Sequence, residues 1–157
     1  MNLQLWFFFR SSLHLRLCNC TEPPTSILDV GCGTGQATFT LGNFAPVVVG
    51  TDSSEGQVKE AIVQAEKRGS NVRFVKGGAE DLATSGLAAG SVDLITSAQC
   101  AHWFNLPVFY EECHKMLSPH GTLAIWCYTR PTIANAPSVE SALDHVRFTS
   151  STTFHFI

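Results

Sequence analysis

A chain of 157 residues has room for one domain and not comfortably for two. With 45% hydrophobic and 15% charged residues, and eleven Phe, three Trp and two Tyr, it is composed like a folded protein and not like a disordered one. Ten Lys and Arg against thirteen Asp and Glu leave a net charge of −3, and no basic block exists to neutralise a run of phosphates, so nucleic acid is not expected as a partner.

Residues 1–25 read as an atypical N-terminal extension. Leu3 to Phe9 is apolar apart from Gln4, but Arg10 ends the run far short of the roughly 20 residues that span a bilayer. No membrane association is expected. Arg10 and Arg16 follow the apolar run, whereas a secretory signal carries its charge before it. The lack of acids before Glu22, with Ser11 and Ser12 nearby, faintly matches an organelle transit peptide, and a packing extension is the plainer reading. The cysteines at 18, 20, 32, 100, 113 and 127 include only one close pair, Cys18 and Cys20. A lone C-x-C lacks the second pair of a structural zinc site, so reduced thiols in a cytoplasmic protein are expected. His14, His114, His120, His145 and His155 have no metal-ligand spacing, and no metal is expected.

From Ser26 the punctuation becomes regular. Ile27 to Val30 reads as a buried strand that must turn at Gly31, and a short helix over Gln36 to Leu41 follows. Val47 to Val49, a β-branched run after Pro46, predicts a second strand buried on both faces. Ser54 with Gln57 forms a capping box for a helix whose apolar face is Val58, Ala61, Ile62 and Ala65, closed by Gly69. Val72 to Val75 predicts a third strand, Glu80 to about Ala88 a short helix or irregular crossing, and Val92 to Thr96 a fourth strand. Asn105 is placed to cap a helix with Pro107 in its first turn and Leu106, Phe109, Tyr110, Cys113 and Leu117 on one face. Ser118-Pro119-His120-Gly121 would end that helix, and Thr122 to Cys127 would form a fifth strand. Beyond Tyr128 the pattern weakens, with a helix capped by Ser138 through Val146 as its one candidate. Strands separated by helical crossovers imply an α/β fold: a doubly wound, mostly parallel sheet of about five strands with helices on both faces.

The segment Asp29-Val30-Gly31-Cys32-Gly33-Thr34-Gly35-Gln36 is a glycine-rich turn between a buried strand and a helix. Such a turn permits positive φ, close backbone approach and free N–H groups toward a nucleotide-type cofactor. A phosphate-cradling G-x-x-x-x-G-K-[ST] loop is excluded because no Lys follows, and the dinucleotide fingerprint fails because Gln36 takes the place of its last glycine.

Asp29-Val30-Gly31-Cys32-Gly33-Thr34-Gly35 resembles the cofactor motif of class I S-adenosylmethionine-dependent methyltransferases, and the resemblance runs from about Ser26 to Tyr128. It implies a Rossmann-like core over 26–128 and S-adenosyl-L-methionine as cofactor. Asp52 then stands where the family's acid holds the ribose, beside Ser53. Gly78-Ala79-Glu80-Asp81-Leu82 resembles the segment lining the adenine, Asp29 falls near the methionine end, and Ala98 ends the fourth strand. Leu117-Ser118-Pro119-His120-Gly121-Thr122-Leu123 resembles the family's L-x-P-G-G-x-L, with His120 replacing a glycine. Ala98-Gln99-Cys100-Ala101-His102-Trp103-Phe104 and Leu123 to Tyr128 resemble the methyltransferase type 11, trans-aconitate methyltransferase-like branch, which implies a small-molecule acceptor such as a carboxylic acid.

The cofactor set implied is Asp29, Gly31, Cys32, Gly33, Gly35, Asp52, Ser53, Ala79, Glu80 and Ala98. His102 and Trp103 are the substrate candidates, and His102 is also the candidate catalytic group, since an imidazole at the carboxyl end of a strand can accept a proton or bind a carboxylate. Each has a plainer competitor: Asp52 and Glu80 as helix-start acids, Asp93 as a turn residue, Cys32 as a small packed residue, Trp103 and Phe104 as core. The family's closing strands are not recognisable after Cys127, so 129–157 reads as a divergent or truncated segment. The alternative to an enzyme is accordingly an impaired fragment acting as a cofactor- or partner-binding module, self-associating through an exposed sheet edge.

Overall fold

The structure, a computed structural model, describes residues 23–126. The candidate helix at 138–146, the extension over residues 1–22 and the end of the fifth strand at Cys127 lie outside the described residues.

Five strands, β1 (Ser26–Val30), β2 (Val47–Asp52), β3 (Arg73–Lys76), β4 (Val92–Ala98) and β5 (Leu117–Trp126), form one sheet in the order β3-β2-β1-β4-β5. Every pairing is parallel. Three helices, α1 (Gln36–Leu41), α2 (Glu55–Arg68) and α3 (Leu106–Met116), supply crossovers. The segment between β3 and β4 is a single 3₁₀ turn, Leu82–Ser85, which is the irregular option for that crossing.

Alternation along the strands puts helices on both faces. Ile27, Val48 and Leu94 pack with Leu41, Val58, Ala61 and Ala65 of α1 and α2 on one face. Their neighbours Leu28, Val49 and Ile95 pack with Phe109, Cys113 and Met116 of α3 on the other. A parallel strand buried on both sides needs such a continuous apolar run, and each of the buried Ile, Leu, Val, Phe and Met side chains contributes roughly 1.5–3 kcal/mol by leaving water.

The helix ends follow local chemistry. Ser54 Oγ accepts the Gln57 N–H at 3.4 Å, and Gly69 closes α2 in the left-handed conformation at φ 59°. Two predicted faces need correction. Ile62 is 39% exposed, because Val58, Ala61 and Ala65 alone suffice to seat α2 on the sheet. In α3 the buried set is Phe109, Cys113 and Met116, while Tyr110 is 43% exposed. Asn105 makes no side-chain cap; its backbone N–H donates instead to Glu80 Oε1 at 2.9 Å.

The end of α3 also departs from expectation. Leu117 turns directly into extended backbone and pairs with Val92, and pairing resumes at Thr122 opposite Leu94. Ser118 to Gly121 thus form an irregularity inside β5, not a loop before it. Gly121 is required there, since a Cβ would lie 2.7 Å from the Val92 carbonyl oxygen, whereas His120 is exposed. Asp93 is a structural hub: it accepts the Thr25 N–H (2.8 Å) and hydroxyl (2.7 Å), the Ser26 N–H (3.3 Å) and the Ser118 hydroxyl (3.0 Å). Burial pushes its pKa up, but these bonds outweigh it and hold the carboxyl below its ordinary value.

Candidate cofactor site

The strand order reverses between β1 and β4, so the crevice for a ligand opens at their carboxyl ends. The glycine loop leaves β1 at that point. Gly31, Gly33 and Gly35 all have positive φ (72°, 56° and 87°), but they are glycines for different reasons. A Cβ on Gly31 would run into Cys100 Sγ, and one on Gly35 would lie 2.6 Å from the Phe74 ring and 2.8 Å from the Phe39 ring. On Gly33 it would meet nothing nearer than Gln57 Oε1 at 3.9 Å. Only the middle glycine presents its missing side chain to open space.

Backbone bonds pin this loop to β2. The Gly31 and Cys32 N–H groups both donate to the Thr51 carbonyl, at 2.8 and 3.0 Å. Asp52 completes the tie: its Oδ2 accepts the Gly33 N–H at 2.9 Å and its Oδ1 the Ser54 N–H at 2.8 Å. A carboxylate offers about four lone-pair positions, so this half-exposed group retains capacity for two further donors. Beneath the loop, Phe74 of β3 fills the space that glycine leaves at both Gly35 and Gly50.

Asp29 is buried, and both of its oxygens are engaged. Oδ2 accepts from the Thr38 hydroxyl of α1 at 2.6 Å and Oδ1 from the Thr96 hydroxyl of β4 at 2.7 Å. Desolvation raises its pKa to about 6 even though both hydroxyl bonds pull it down. Cys32 is a buried thiol whose pKa burial and the nearby Asp29 and Asp52 push strongly upward, which suits packing and not nucleophilic attack.

Glu80 is exposed and holds the Asn105 N–H, so it joins the segment after β3 to the start of α3. Ala79 beside it is buried, and Ser53 is exposed. Past Ala98 the chain forms a 3₁₀ turn over Ala101–Trp103. His102 is exposed and Trp103 is 81% exposed, their rings 5.0 Å apart, so Trp103 is not core. Phe104 instead packs edge-on against Phe109 at 5.0 Å. Three contributors escaped the sequence reading: Thr38 and Thr96, which hold Asp29, and Cys100, which fills the Gly31 vacancy and bonds Ser97 Oγ (3.0 Å) and the Val30 carbonyl (3.2 Å). No local pattern announces such partners, because Thr38 and Thr96 lie 9 and 67 residues from Asp29 and Cys100 lies 70 residues from Val30.

Residues 28–125 match the family described as methyltransferase domain. The chain belongs to that family. A Dictyostelium discoideum protein named as a methyltransferase is 43% identical to it over 117 residues, 74% of this chain and 41% of that protein. The Saccharomyces cerevisiae protein named probable S-adenosylmethionine-dependent methyltransferase CRG1 is 34% identical over 71% of this chain and 38% of its own length. Among solved structures, an S-adenosylmethionine-dependent methyltransferase from Aquifex aeolicus superposes with a TM-score of 0.60 at 25% identity, covering 78% of this chain and 71% of that one. The chain thus spans about two fifths of the length of these two named relatives.

S-adenosyl-L-methionine is the cofactor of this methyltransferase class, and the residues present fit it. The fit rests on the open cradle at Gly33 and on the half-exposed Asp52 carboxylate beside it, with acceptor capacity to spare. Among the described residues, no helix is long and apolar enough to cross a membrane.

Proposed function

We propose that this chain binds S-adenosyl-L-methionine and transfers its methyl group to a small-molecule acceptor, a carboxylic acid being the acceptor class the post-β4 segment suits. The observation that carries the reading is the Gly33–Asp52 pair, an open glycine and a half-exposed acid joined by one 2.9 Å hydrogen bond. When bound, the cofactor supplies a methyl group on a sulfonium that is already an activated electrophile.

The chain's own residues then bind and align. Asp52 accepts from the ribose hydroxyls while its existing bonds keep it fixed to the loop and to the start of α2. Gly33 gives the backbone close approach, Gly31 and Gly35 let the loop turn against Cys100, Phe74 and Phe39, and Cys32, Ala79 and Asp29 support the loop from the interior. Ser53, Glu80 and Ala98 complete the rim. His102 and Trp103, on the exposed turn after β4, contact the acceptor, with Trp103 shielding the reacting atoms from water. An ionised carboxylate needs no base at pH 7. The bound cofactor would supply the electrophilic methyl group, and no residue of this chain would have to move a proton for a carboxylate to take it. Alignment alone contributes several kcal/mol to such a step, so His102 serves as a carboxylate contact and would act as a base only toward a hydroxyl acceptor. The free thiols at Cys32, Cys100 and Cys113 suit a reducing compartment such as the cytoplasm.

Calorimetric titration with S-adenosylhomocysteine tests the site. The parent chain binds, and Asp52→Ala weakens binding by at least tenfold; no binding by the parent would sink the reading. Labelled methyl transfer to a panel of small carboxylic acids tests the acceptor class, and label found only on protein or RNA would overturn it.

A further inference from the structure

Gln99, the residue after β4, has two features that the fold leaves unused. Its φ is 64°, and among the described residues it is the non-glycine with positive φ. A residue with a long side chain adopts that conformation only when its surroundings hold it there. They do so here from both sides: the Gln99 N–H donates to the Trp126 carbonyl at 2.9 Å, and Cys100 is held to Ser97, Val30 and the face of Gly31. The second feature is the side-chain amide. Nε2 is buried and has no hydrogen-bond partner among the described residues. Folded proteins pair nearly all such donors, so an orphan on the residue that follows β4, at the carboxyl ends of the strands, calls for an acceptor from outside. The other unpartnered buried atom, Thr51 Oγ1, sits on a residue with no exposed surface, whereas Gln99 is only partly buried.

We propose that Gln99 is a specificity-determining residue for the methyl acceptor, its amide N–H donating to an sp² oxygen of the acceptor while the positive-φ backbone holds the side chain in place. For a carboxylate the oxygen bound is the one that does not attack. A neutral amide suits this task better than a cation, because it orients the group without cancelling the charge that makes it nucleophilic. The inference rests on the methyltransferase reading above and deepens it by naming the group that selects the acceptor.

Gln99→Gly and Gln99→Leu test it in the full chain. Glycine accepts the backbone conformation and removes the amide; leucine removes the amide and keeps the bulk. The readouts are S-adenosylhomocysteine affinity, melting temperature, and KM and kcat for labelled transfer to the small-acid panel. For Gln99→Gly the expected result is affinity within twofold of the parent, a melting temperature at or above the parent's, and an acceptor KM raised at least tenfold. Gln99→Leu raises KM similarly. A glycine variant with parental KM and a higher melting temperature overturns the proposal, since the strain would then be a packing matter. Equal loss of S-adenosylhomocysteine affinity also overturns it, assigning Gln99 to the cofactor. A parent that binds S-adenosylhomocysteine but methylates no acid in the panel overturns it alone, whereas a parent that fails to bind takes down the underlying reading as well.

Discussion

The two sides of the crevice are built in opposite ways. On the β1–β2 side the backbone N–H groups and carboxylates around the glycine loop are tied together, Gly31 and Cys32 with the Thr51 carbonyl, Gly33 and Ser54 with Asp52, Thr38 and Thr96 with Asp29, and the buried Thr51 hydroxyl alone among these groups lacks a partner. On the β4 side the chain carries a positive-φ Gln99, an unpartnered amide and an 81% exposed Trp103. On the proposed reading the first is a preorganised cradle for a ligand of constant shape. The second leaves one amide without a partner and one aromatic ring exposed, which on the proposed reading suits a surface that selects among acceptors. Preorganisation lowers the cost of binding, while exposed groups retain their interaction energy until a ligand arrives.

The largest expected effect comes from filling a glycine on the rigid side. Gly35→Ala forces a Cβ into the Phe74 and Phe39 rings at φ 87°, and should destabilise the chain by about 3 kcal/mol in denaturant unfolding. Gly33→Ala meets open space, so it should cost only about 1 kcal/mol while weakening S-adenosylhomocysteine binding more than Gly35→Ala does per unit of stability lost. Equal stability losses at the two positions would break the distinction between them.

Next comes Asp29. Its folded pKa of about 6 lies above the ordinary 3.8, so the folded state holds the proton more tightly. The stability it contributes is therefore full below about pH 4 and is lost as pH rises through about 6. By this linkage the parent should lose roughly 3 kcal/mol between those limits relative to an Asp29→Asn variant. An amide can accept from one threonine and donate to the other, so the variant should fold. Parallel stability–pH curves for the two chains would show that Asp29 does not carry this charge cost.

The smallest effect on stability belongs to the open side. Trp103→Ala should change unfolding free energy by no more than about 0.5 kcal/mol while reducing labelled methyl transfer severalfold. A large loss of stability would place Trp103 in packing, against its exposure.

Much of the scaffold was legible because its signals are local. The apolar runs Ile27 to Val30 and Val47 to Val49, the Ser54 cap and the Gly69 stop each depend on residues within a turn or two, and the structure forms these elements where they were expected, except that Val47 is 44% exposed and only Val48 and Val49 of its run are buried. The register of α3 against the sheet was not, because a helical stripe is compatible with several neighbouring choices until the sheet selects Met116 over Tyr110. In the same way Leu117 is drawn into β5 by pairing with Val92, 25 residues earlier, a preference invisible to a local turn pattern.

The amino-acid sequence by itself determined the parallel α/β arrangement, the glycine loop after β1 and the acid that ends β2, since glycine spacing and strand–turn–helix punctuation are short-range constraints on the backbone. Only the tertiary structure decided which glycine faces open space, that Asp29 is held by Thr38 and Thr96, and that Gln99 keeps a donor without a partner. Those outcomes depend on atoms brought together across the sheet, where burial and hydrogen-bond pairing are settled by three-dimensional neighbours and not by order along the chain.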